Sequence, residues 1–107
     1  MAYHLHMCVL ADMYDIQPLK ELAKREFRQE ADKKWETAEF AEIAAQAYGF
    51  ESAAKSICDV IVGLAVEHKL LTSTSEGARA FKQIMRGRPE LSIDIAEELQ
   101  IRLNNRR

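Results

Sequence analysis

Residues 4–27 read HLHMCVLADMYDIQPLKELAKREF, and the fold follows from this stretch. From Tyr3 to Tyr14 the apolar side chains Tyr3, Leu5, Met7, Cys8, Val9, Leu10, Ala11, Met13 and Tyr14 cover nearly the whole circumference of a helix. A helix without a clean polar face expects burial on all sides. Asp15 and Pro18 then mark a second helix, with Asp15 as its cap and Pro18 in the first turn, where a missing N–H costs no intrahelical bond. That helix runs to about Asp32 and is amphipathic: Leu19, Leu22, Ala23 and Phe27 take the packing face, while Lys20, Glu21, Lys24, Arg25 and Arg28 take the other.

Beyond it the same periodicity continues. Trp35 anchors a connection, and Thr37 caps a helix through Phe40, Ile43, Ala44 and Ala47 that ends near Gly49. The next, roughly Ser52 to Leu70, carries Ala54, Ile57, Cys58, Ile61, Leu64, Ala65 and His68 on one face and Val62 and Val66 on another, which makes it the central helix. Ser73 and Glu76 have capping-box spacing for a fifth helix presenting Ala78, Phe81, Ile84 and Met85. Gly87, by accepting left-handed backbone angles, and Pro89 end it. The last helix, from about Glu90, offers Leu91, Ile95, Ala96, Leu99 and Leu103 to the core and displaces Ile93 and Ile101 from that stripe. Arg102, Arg106 and Arg107 complement the negative end of its dipole.

The expected fold is all-α, a compact bundle of five or six helices forming one domain over residues 1–107. Four Gly and two Pro leave little room for long loops, and no internal repeat is visible. With 15 Lys plus Arg against 17 Asp plus Glu, a net charge of -2 draws in neither nucleic acid nor an anionic membrane by field alone. Cys8 and Cys58 lie in apolar helical patterns, and no secretory signal or apolar run of membrane-spanning length accompanies them. Reduced thiols in the cytoplasm or nucleus fit this composition best.

The first stretch resembles the helical end of a BTB/POZ domain, most closely in its fungal members. There an apolar run leads into Leu-Ala-Asp-x-Tyr-Asp-Ile, a short turn, then Leu-Lys-x-Leu-Ala and a later Phe. This chain matches at Leu10, Ala11, Asp12, Tyr14, Asp15, Ile16, Leu19, Lys20, Leu22, Ala23 and Phe27, and departs at Met13, where the family usually has a basic residue. The motif covers about a quarter of the chain. The resemblance implies BTB-like terminal helices over 1–32 and a helical extension over 33–107. It also implies that the strand-rich dimerising core is missing ahead of the motif, as in a piece of a longer protein. What it implies about function is an adaptor that binds proteins, in the full-length protein a ubiquitin-ligase scaffold or a transcriptional partner.

Candidates for chemistry all have structural readings. His4 and His6, two apart on a helix, point about 200° apart and cannot clasp one metal. His68 lacks companions at ligand spacing, so no metal site is expected. Burial raises the pKa of Cys8, and Asp12 with Asp15 has no positioned acid–base partner; no catalytic group and no cofactor site is expected. Lys20, Lys24, Arg25 and Arg28 could contact phosphate, with steep salt dependence as the mark, but Glu21 and Glu26 interrupt them and a solvated face is the simpler reading. What rises above background is the apolar excess of the first helix. A self-associating protein-interaction module is expected, with Tyr3, Leu5, Met7, Val9, Leu10, Met13 and Tyr14 at or near the contact.

Overall fold

A computed structural model describes residues 1–105, with Glu51 described by its backbone alone. It is an all-α bundle of six α-helices: α1 Ala2–Met13, α2 Gln17–Lys34, α3 Ala38–Gly49, α4 Lys55–Glu67, α5 Glu76–Gly87 and α6 Pro89–Asn105. A 3-10 turn over Glu51–Ala54 leads into α4, so the helix expected from Ser52 begins late. Arg106 and Arg107, expected to complement the α6 dipole, lie outside the described residues.

The helices pack as two hairpin-like pairs around a central rod. α1 lies on α2, α3 lies on α5, and α4 touches α2, α3 and α6. Ile57, Cys58, Val60, Ile61, Val62, Leu64 and Ala65 of α4 are all buried, which is why the sequence shows apolar residues on more than one of its faces. Phe27 of α2, Phe40 of α3, Phe81 of α5 and Leu91 and Ile95 of α6 close on that rod. The Phe40 and Phe81 rings stack with centroids 5.6 Å apart.

Local chemistry sets the boundaries. Thr37 caps α3 as expected, its hydroxyl accepting from the Phe40 N–H. For α5 the cap is Ser75, not Ser73: the Ser75 hydroxyl accepts from the Ala78 N–H at 3.2 Å. Ser73 sits outside the helix, its hydroxyl accepting from the Ser75 N–H and its carbonyl from Lys82 Nζ at 3.0 Å. Asp15 does not cap α2. It ends α1 in the left-handed region at φ 56, with the Ile16 N–H donating to the Ala11 carbonyl and the Asp15 N–H to the Asp12 carbonyl. This is a Schellman motif, and α4 ends in a second one, with Lys69 at φ 53 and Leu70 N–H donating to the Ala65 carbonyl. Gly87 needs no left-handed angle. α5 stops because Arg88 precedes Pro89 and is held extended at φ -134, ψ 83.

Two apolar expectations change. Leu22 lies on the exposed flank of α2, whose buried line is Ala23, Phe27 and Ala31. On α6 only Leu91 and Ile95 reach the core. Ala96, Leu99 and Leu103 are exposed: α6 packs on α4 and α5, and Leu99 and Leu103 stand along an open groove beside Val66 and Glu67 at the end of α4.

Candidate interaction surface

α1 has two apolar faces, and the chain covers only one. Leu5, Cys8 and Val9 point into the core against α2, the 3-10 turn and α3. On the opposite side Tyr3, Met7, Leu10 and Tyr14 follow at i, i+4, i+7 and i+11, which is one line along a helix. Tyr3 is 69% exposed, Leu10 45% and Tyr14 70%, with Met7 half-buried in the middle of the line. Met13, 66% exposed, flanks it. The expected burial of α1 on all sides is therefore a burial of one side.

The residues expected at a contact divide accordingly. Tyr3, Met7, Leu10, Met13 and Tyr14 stand on or beside the open line. Leu5 is fully buried and Val9 is 7% exposed, so both belong to the core of this chain and are corrected out of the surface. Their i, i+4 spacing from each other marks a second line, and only packing reveals which line is inside. A charge at Val9 would disrupt the packing of α1 on the core, whereas Met13 and Tyr14 face solvent.

The surface extends onto α2. Between the helices lies a cleft of about 110 Å³ lined by Tyr3, His4, Met7, Leu19, Leu22, Ala23 and Glu26. Leu22, one of the residues lining it, is nearly half exposed. The hairpin holding this surface is pinned near its turn by Lys20 Nζ donating to Asp12 Oδ1 at 2.8 Å. That hydrogen bond holds the Lys20 ammonium above its ordinary value and keeps the only charged side chain of α1 occupied.

Other candidate groups have partners of their own. His68 stacks on Trp35 with centroids 4.6 Å apart and its Nε2 lies 2.8 Å from Asp32 Oδ1, so it ties the end of α4 to the end of α2. The Tyr48 hydroxyl donates to Asp94 Oδ2 at 2.6 Å, joining α3 to α6; burial and this bond push the phenol up. Cys8 and Cys58 are free and buried. Burial raises the Cys8 thiol and pushes the Cys58 thiol up to about 12, with Asp59 and Asp94 adding to the latter. Among the described residues no group of His, Cys, Asp and Glu is placed to hold a metal ion. On the basic face of α2, Lys20 is bonded to Asp12 and Arg28 to Glu67 at 3.1 Å, leaving Lys24 and Arg25 beside Glu21 and Glu26.

A second apolar groove was not foreseen. It runs between α4 and α6 past Val66, Leu71, Ile95, Leu99 and Leu103. Its signal in the sequence was Leu71, an apolar residue in the α4–α5 connection. No described helix is long and apolar enough to cross a membrane. Comparison with protein-family models, with characterised proteins and with solved structures finds no match to this chain.

Proposed function

We propose that this chain is a non-catalytic protein-interaction module that self-associates through the open face of α1. In this reading it is the helical region of a BTB/POZ-type adaptor working in the cytoplasm or nucleus. The observation that carries the reading is the line Tyr3, Leu10 and Tyr14, exposed on a helix whose other side is packed, with Met7 half-buried between them. Contiguous apolar surface of this kind marks association sites. Each such side chain gains about 1.5–3 kcal/mol on full burial before association costs are subtracted, so a handful suffices. The BTB motif from Leu10 to Phe27 spans the α1–α2 hairpin, and α3 to α6 would be the extension that meets a ubiquitin-ligase scaffold or a transcriptional partner in a longer protein.

The nucleic-acid reading draws on the basic face of α2 and on Arg102. Lys20, Arg28 and Arg102 are already engaged with Asp12, Glu67 and Glu98, which makes it the weaker of the two. The test is to replace Met13 and Tyr14 together by Glu and compare molar mass with the parent chain by light scattering. The variant should fall to monomer while keeping its helicity, because both side chains point to solvent. Unchanged assembly size and solubility would place the contact elsewhere.

A further inference from the structure

We infer that α5 carries a separate binding face, and that its occupant is a short acidic segment of a partner protein, two carboxylates of which seat on Arg79 and Arg86. This face is independent of the α1 surface and goes beyond the reading above.

Charge segregates on this one helix. From Gly77 to Pro89 the chain carries Arg79, Lys82, Arg86 and Arg88 and no Asp or Glu, although its net charge is -2. Packing turns that charge outward. Ala78 and Phe81 are buried and Ile84 and Met85 lie against the core, while Arg79, Gln83 and Arg86, at i, i+4 and i+7, form one exposed line. Seven residues at 1.5 Å each set the two arginines about 10 Å apart along the axis.

These cations have no carboxylate of their own. Lys20, Arg28, Lys34, Lys55, Arg88 and Arg102 each face one. Among the described residues no ion pair engages Arg79, Lys82 or Arg86. Lys82 turns back to the Ser73 carbonyl at 3.0 Å, and Arg86 Nη1 donates only to the neutral Gln83 Oε1 at 3.4 Å. On α2, by contrast, Lys24 and Arg25 are interleaved with Glu21 and Glu26. The guanidinium forks of Arg79 and Arg86 therefore keep donors for an incoming anion, which they grip bidentately.

The limits of the positive stretch select the anion. Glu76 starts the same exposed line one turn before Arg79, and exposed Glu90 follows the end of the helix, so negative charge bounds the face at both ends. A nucleic-acid strand carries a phosphate at every step, about 3.4 Å of axis apart, and would run on into both carboxylates. A segment with two carboxylates about 10 Å apart fits between them, and three residues of extended chain at about 3.3 Å each supply that separation. Gln83, between the two arginines, offers a donor and an acceptor to the backbone of the segment.

Fluorescence anisotropy with a labelled peptide of repeated Glu-Gly-Gly tests this, with a repeated Gln-Gly-Gly peptide and a single-stranded oligothymidylate of equal length as comparisons. The acidic peptide alone should bind, more weakly as salt rises, and the Arg79→Gln, Arg86→Gln variant should bind it about tenfold more weakly. Both arginines are exposed, so the circular dichroism of that variant should match the parent's. The Lys24→Gln, Arg25→Gln variant removes the same charge from α2 and should bind as the parent does. Equal weakening by the two variants means that net charge alone holds the peptide and overturns the site. Tighter binding of the oligothymidylate through the same arginines makes the partner a nucleic acid and overturns the acidic segment, as does a parent that binds no acidic peptide at low salt.

Discussion

Lys69 and Asp15 hold the left-handed position at the ends of α4 and α1, and the two are not equally suited to it. Asp reaches that region with help from its short polar side chain, whereas Lys pays the steric conflict between Cβ and the following carbonyl. Lys69→Gly should therefore stabilise the chain by up to about 1 kcal/mol, the gain being cut by the greater freedom of Gly in the unfolded state. A higher urea midpoint at unchanged slope would register it. Cys58 gives a pH dependence of definite sign. Its folded thiol titrates near 12 against the ordinary 9.0, so between those values the folded chain holds a proton the unfolded chain has released. Stability must then fall as pH rises above 9.0. Cys58→Ala should make the loss between about pH 8 and pH 10 smaller by about 1 kcal/mol, read from urea unfolding at the two pH values. Neither residue announces this in sequence: a Lys in a polar loop looks ordinary, and a thiol's shift depends on what α3 and α6 bring beside it.

At the scale of elements, the junction of α5 with the α2–α3 connection depends on Gly77. A Cβ there would overlap the Glu36 carbonyl and come within 2.6 Å of the Thr37 nitrogen, so α5 could not approach. Gly77→Ala should cost about 1–3 kcal/mol by overpacking. Gly87→Ala, whose Cβ meets nothing within 4 Å, should be neutral or slightly stabilising, and thermal unfolding of the pair separates packing from helix propensity. Elements governed by local rules were legible: the Thr37 cap, the stop before Pro89, and the α4 face of Ile57, Ile61 and Leu64. Those decided between equivalent local choices were not. Ser73 and Ser75 both satisfy capping logic, and Lys82 reaching the Ser73 carbonyl settles it. Likewise α6 carries a full apolar period, but its periodicity says nothing about which of these residues a neighbouring helix covers, and Leu99 and Leu103 stay exposed beside the end of α4.

For the whole molecule, a Cα radius of gyration of 13.4 Å is that of a compact chain of this length. The sequence showed that α1 was too apolar to stand alone, yet the all-round pattern could not say which line the chain covers for itself. Leu5 and Val9 turned inward; Tyr3, Leu10 and Tyr14 stay exposed, with Met7 half-buried between them. The central claim is that this face drives association, and its most direct measurement is the molar mass of the unaltered chain by size-exclusion light scattering over a concentration series. A dimer that dissociates on dilution, and that the Met13→Glu, Tyr14→Glu variant cannot form, is the expected result. A monomer at every concentration would contradict it.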